Sequence, residues 1–272
     1  MNDYFRYAGI LINISVLITA FEHLMVRVTS SDALLPWNIL QLRESIFTRS
    51  RTSEKFSKLY NLNVIYLFYG MVALSTTGIL LLLLPPYLSN PTTITIQSIF
   101  LALLLITFNY RSRYALDGAD QFNTIALVCM AISMSLEPST GQIYFMAFIS
   151  FQATLSYFIA GVFKLKSPVW KSGNALPDIF AGKTYGHKRI AIFLDNNQSL
   201  AKGLSSLVVY WELFFPLCFL LPAELFYVYL VVGVGFHVFN AVFMGLNCFM
   251  LSFLSSYPAM IYCHQFLHEK IF

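Results

Sequence analysis

From Tyr7 to Cys263 the chain returns repeatedly to apolar stretches about as long as a bilayer is thick. That repetition decides what it can fold into, because a membrane-crossing helix needs roughly 20 apolar residues. The runs predict spans at about Tyr7–Val26, Asn63–Leu84, Thr92–Phe108, Phe122–Leu136, Ile143–Lys164, Leu204–Leu221 and Leu225–Leu246. A shorter eighth lies at Cys248–Cys263, and the last pair can also be one bent unit. Turns at Pro85-Pro86, Glu137-Pro138 and Pro222 punctuate the series. The expected fold is an all-α, polytopic integral membrane helix bundle of about seven or eight spans. It has no soluble domain, so residues 1–272 form a single transmembrane domain. The connection 166–203 is a long interfacial loop within it, with room for one or two short helices lying on the membrane.

Composition agrees. The chain is 57% hydrophobic and 11% charged, where a soluble domain carries about a quarter charged residues. No cleavable signal sequence is expected at the N-terminus, since Asp3 interrupts the opening segment and no small-residue cleavage site follows. Basic residues fall on alternate loops. Arg27, Arg43, Arg49, Arg51, Lys55 and Lys58 are in the first, and Arg111 and Arg113 in the third. Lys164, Lys166, Lys171, Lys183, Lys188, Arg189 and Lys202 border or fill the fifth. Together these are 15 of the 17 basic residues, and the positive-inside rule then places that face in the cytoplasm and the N-terminus outside. Nothing resembles a nucleic-acid-binding stripe, so the partner implied by charge is the lipid bilayer. The four cysteines, Cys129, Cys218, Cys248 and Cys263, lie in apolar runs without metal spacing and read as packing thiols. No metal site is expected.

Ionisable groups inside spans are costly, and each has a structural and a functional reading. Glu22-His23 either pairs with Arg27 at the interface or lines a cavity. Glu212, in "YWELFFP", sits four residues before Pro216 and must be paired or protonated at that depth. His237, in "GVGFHVFNAVFMG", lies on the small-residue row Gly233, Ala241, Gly245, with Asn240 beside it. It is either a histidine satisfied across a helix pair or part of a site.

Lys164 ends the run "SYFIAGVFKL". Counting back in fours gives Ala160 and Ser156, and a neighbouring row gives Gly161, Tyr157 and Ala153. The lysine therefore continues a face that contacts other helices rather than lipid. Desolvation destabilises an ammonium, and a lysine so placed can act as a general base. The alternative is a lysine snorkelling to the headgroups.

The segment "YFIAGVFKL" with Trp170 and Gly173 resembles the transmembrane core of the vitamin K-dependent γ-glutamyl carboxylase and of HTTM (horizontally transferred transmembrane) domain proteins. "FHVFNAVFMGLNCFMLSFLSSYP", "RSRYALDGADQ" and "WELFFP" are similar to further blocks of that family, in family order from Asn109 to Pro258. The resemblance implies Lys164 as the base that deprotonates a reduced naphthoquinone, a vitamin K-like cofactor. It implies Tyr157, Gly161 and Trp170 as the frame of that site. His237, Glu212 and Asn240 would be polar groups converging on it.

Two departures bear on activity. The carboxylase has a functional histidine where this chain reads Tyr110-Arg111-Ser112-Arg113, and its large C-terminal domain has no counterpart before Phe272. In length the chain looks more like the sporulation-delaying protein B group. That likeness implies a multi-pass protein of a bacterial cell membrane that matures a secreted peptide with a separate partner protein. The carboxylase works from the lumenal side, opposite to the face that the charge count assigns to Lys164. The leading expectation is a membrane enzyme acting on a lipid-soluble quinone or a secreted peptide. The contrasting one is a non-catalytic component of peptide-toxin maturation, export or immunity, in which Lys164 only pairs with a carboxylate such as Glu212. A transporter fits less well, since the halves show no inverted repeat.

Overall fold

The computed structural model describes residues 2–29, 64–85, 88, 90–111, 118–136, 138–183 and 186–271. The described residues form helices and no strand. Five helices are long and apolar enough to cross a membrane: Asp3–Met25, Ile65–Leu83, Pro91–Asn109, Ser139–Lys166 and Ala223–Met244. Their outward side chains are greasy to a degree that water would penalise; Phe163 is 69% exposed and Val231 is 68% exposed. Of the expected basic loop residues, Arg43, Arg49, Arg51, Lys55, Lys58 and Arg113 lie outside the described residues.

The chain divides into two compact units, Met1–Phe145 and Met146–Phe272. The first holds α1 (Asp3–Thr29), α2 (Val64–Leu83), α3 (Pro91–Arg111), α4 (Gly118–Met134) and the first turns of α5 (Pro138–Lys166). Here α1 packs along α2, α2 along α3, and α3 along α4. Arg6 closes the end of α2, donating from Nε to the Leu82 carbonyl at 2.9 Å and from Nη2 to that of Leu83 at 3.3 Å. These are carbonyls a helix end leaves without partners. Asn90 starts α3, its side chain accepting from the Thr92 amide at 2.9 Å. Buried polar side chains also make hydrogen bonds between the helices. The Gln97 amide donates to Asn13 Oδ1 and to the Leu74 carbonyl, each at 3.0 Å, and Asn123 donates to Ser15 Oγ at 2.9 Å. Such bonds join membrane helices that hydrophobicity alone cannot pull together.

The second unit holds the rest of α5 and then four helices, three of them short. These are α6 (Pro168–Ser172), α7 (Ala175–Ala181), α8 (Lys188–Asn196) and the longer α9 (Gln198–Leu213). A 3-10 segment (Phe215–Leu220) follows, then α10 (Ala223–Met244), α11 (Asn247–Leu254) and α12 (Tyr257–Ile271). The connection 166–203 is therefore helical through most of its length. Gly173 ends α6 at φ 88°, lying so close to the Lys202 backbone that a Cβ would collide.

Three expected spans differ in form. Where Phe122–Leu136 was expected, α4 has 17 residues, at the short end of what crosses a bilayer. The run Leu204–Leu221 is broken: α9 stops at Leu213, and the 3-10 segment takes over. Pro216 is the cause, because it has no N–H for the Glu212 carbonyl and its ring would clash with that carbonyl if the α-helix ran on. The run at Cys248–Cys263 is likewise two helices, separated at Ser255-Ser256. Hydropathy is blind to both breaks.

Candidate functional site

Every residue singled out in "YFIAGVFKL", "WELFFP" and the His237 segment falls in the second unit. Lys164 sits in the last turn of α5, where a cation is favoured by the helix dipole. Glu212 sits in the last turn of α9, where an anion is disfavoured, and it is 3% exposed. The structure brings the two together: Lys164 Nζ donates to both carboxylate oxygens of Glu212. One cation thus serves two helix ends and the buried carboxylate.

Gly161 makes this pairing possible. A Cβ there would strike the backbone of Leu213 and Glu212, so α5 and α9 touch through bare backbone one turn before Lys164. The Lys164 ammonium also stands over the Trp170 ring, 5.1 Å from its centroid, a cation–π contact contributed by α6. The α9 break is itself managed. The Tyr229 hydroxyl donates to the Trp211 carbonyl, one of the acceptors left over where the helix stops.

The ion pair lines a cavity of about 710 Å³. That volume lies within the range of small-molecule sites, which are mostly apolar with a few placed polar groups. Leu204, Leu207 and Val208 come from α9, Phe236, Phe239 and Phe243 from α10, and Phe249 and Phe253 from α11. Leu176, Ile179 and Phe180 of α7 and Ile190, Phe193 and Leu194 of α8 complete it. Lys164, Glu212, Ser156, Tyr157, Trp170 and Asn240 supply its polar or amphipathic wall. The arrangement suits a largely apolar molecule with one polar end directed at the ion pair.

His237 is placed differently from Asn240. Asn240 lines the cavity, whereas His237 is 0% exposed and lies behind it. Its Nε2 shares a hydrogen bond with the Tyr157 hydroxyl, and its ring stacks on Phe253 with centroids 5.3 Å apart. Tyr157 is the link, since it lines the cavity and also stacks on Phe215 at 4.0 Å. Gly233 fits the row expected around His237, because a Cβ there would meet the Tyr257 hydroxyl and the Trp211 ring.

Glu22 and His23 are in the first unit. His23 Nδ1 donates to the Thr19 carbonyl at 2.8 Å and the ring stacks on Phe68, so it is satisfied within its own bundle. The Arg27 side chain, expected to pair with Glu22 at the interface, lies outside the described residues. Among the described residues no group of three or more His, Cys, Asp or Glu side chains could hold a metal ion, and none of the four cysteines forms a disulfide.

The aromatic lining was not singled out in the sequence. Phe236, Phe249 and Phe253 look there like ordinary lipid-facing residues, and no spacing rule separates them from Phe163. Comparison with protein-family models, curated proteins and solved structures finds no match to this chain.

Proposed function

We propose that this chain is a multi-pass membrane protein that binds a lipid-soluble, quinone-like molecule and uses Lys164 as a base, with Glu212 as its proton partner. The observation that carries the reading is the Lys164–Glu212 pair in the wall of an otherwise apolar cavity. The ion pair and its neutral counterpart differ by one proton moved along an existing hydrogen bond. In a dry wall, that lets the amine accept a proton from a bound hydroxyl without leaving an isolated charge. Trp170 and Gly161 position the ammonium, Asn240 offers a hydrogen bond to the ligand's polar end, and Tyr157 with His237 stiffens the cavity wall. On this reading the seven or eight spans include the short α4 and the two interrupted segments. The likeness to the HTTM and carboxylase core, and a setting in a bacterial cell membrane, belong to the same proposal.

A second reading has an observation of its own. Both Glu212 oxygens are engaged by Lys164, which is also what a purely structural pair would do. The protein would then be a non-catalytic component of secreted-peptide maturation, export or immunity. One experiment separates them. Purified protein is given reduced naphthoquinone and oxygen, and quinone epoxide, formed with water, is measured by mass spectrometry. Wild-type epoxide that is lost in both Lys164→Ala and Lys164→Arg supports the base, since arginine does not deprotonate. No epoxide from folded wild-type protein removes the quinol reading and leaves the structural pair.

A further inference from the structure

The ion pair accounts for Lys164 but not for the cations around it. Between residues 166 and 203 the chain carries Lys166, Lys171, Lys183, Lys188, Arg189 and Lys202, all exposed, against only Asp178 and Asp195. Among the described residues none of the six forms an ion pair. Their placement is not that of an ordinary water-facing surface. Lys188 and Arg189 open α8, whose inner face buries Leu194 against Phe180 and Ala201. Yet the same helix leaves Ile192 53% and Phe193 55% exposed, and Val169 on α6 is 45% exposed. Lysine 202 is drawn against α6 by the close approach at Gly173, two residues from Lys171. Cations and bare apolar side chains therefore alternate over one set of short helices. That set begins where the apolar helix Ser139–Lys166 ends.

We propose that this helical segment is a docking surface for anionic phospholipid headgroups. Short helices with basic residues beside exposed apolar ones lie in the interface plane, with the apolar groups at the acyl boundary and the charges on phosphate. A soluble acidic partner would satisfy the cations but leave Ile192, Phe193 and Val169 uncovered. An uncharged lipid surface would cover the apolar groups and leave the cations unpaired. Only a surface with both properties complements the whole segment. The inference rests on the membrane placement proposed above and not on the quinol chemistry. Because Phe193, Leu194 and Ile190 of α8 also line the cavity, such lipids would brace the cavity's roof.

The test uses the full chain in neutral detergent, with thermal unfolding measured in added phosphatidylglycerol or phosphatidylcholine at matched concentration. A ligand of the folded state raises Tm by mass action. The expected result is a rise of about 2–4 °C or more with phosphatidylglycerol, little change with phosphatidylcholine, and a decline of the difference with salt. The variant Lys171→Gln/Lys188→Gln/Arg189→Gln/Lys202→Gln alters only exposed side chains and should lose the difference. The pair Lys188→Gln/Arg189→Gln should lose part of it. Equal responses to the two lipids would overturn the proposal. So would a quadruple variant that keeps the full phosphatidylglycerol effect, since the charges responsible would then lie elsewhere. Neither outcome touches the epoxide measurement, so the two proposals fail separately.

Discussion

The Lys164 ammonium is held by both carboxylate oxygens of Glu212, a residue 48 positions later in the chain. Glu212 is 3% exposed, so its charge depends almost wholly on that one partner. Removing a single member of such a pair strands the other, whereas replacing both by apolar groups of similar volume is often neutral. Lys164→Met alone should therefore destabilise the protein by about 3 kcal/mol, and Glu212→Leu by a similar amount. The double variant should recover most of that loss. Denaturant unfolding of the three variants in detergent gives the coupling. Additive losses would mean that the pair is not one energetic unit.

Gly161 and Gly203 offer a matched comparison. A Cβ at Gly161 meets the backbone of Leu213 and Glu212, while at Gly203 nothing lies within 4 Å. Gly161→Ala should cost about 1–3 kcal/mol through overpacking and displace the carboxylate from Lys164. Gly203→Ala, on the helical α9, should stabilise by about 0.5–1 kcal/mol. Thermal unfolding of both reads the sign directly, and equal shifts would contradict the close approach of α5 and α9.

Tyr157 and His237 share a hydrogen bond out of water through His237 Nε2, while the buried Nδ1 of the same ring has no partner among the described residues, with His237 0% exposed. Tyr157→Phe leaves the imidazole nitrogen without its partner and should cost about 1–3 kcal/mol. Adding His237→Phe should not double that cost, since the stranded group is removed as well. If the base reading holds, Tyr157→Phe should weaken ligand binding more than it slows turnover, because the pair stiffens the cavity wall.

Much of this was legible in the residues, and the rest was hidden for physical reasons. The four-residue rows through Tyr157, Gly161 and Lys164 showed a helix face that meets other helices, and that face does meet α9. Glu212 was readable as a buried carboxylate needing a partner, because the cost of an unpaired charge does not depend on knowing the fold. The pairing of Tyr157 with His237 was not readable, since 80 residues separate them and no local pattern reports long-range contact. The ends of α9 and α11 escaped for another reason. Hydropathy sums apolarity over a window, while a break at Pro216 or Ser255-Ser256 depends on which backbone groups find partners. Asn240 and His237 show the finer limit: three residues apart on one helix, one faces the cavity and the other the packing behind it.

The first unit offers a prediction independent of the site. Gln97 donates to Asn13 Oδ1 and to the Leu74 carbonyl, joining α3 to both α1 and α2, and it is 4% exposed. Gly78 is the space into which this cluster fits, since a Cβ there would strike both amides. Hydrogen bonds between membrane helices are worth about 0.6–2 kcal/mol each. Gln97→Leu removes two of them and strands Asn13 Oδ1, so a loss of about 2–3 kcal/mol is expected. Adding Asn13→Leu removes the stranded acceptor and should give back part of the loss, provided Gly78 still accommodates the larger side chain. Gly78→Leu should be the most damaging of the three, because it displaces the network without replacing any bond. Unfolding measured on the three variants ranks them, and a Gln97→Leu protein as stable as the wild type would show that this polar seam does not hold the helices together.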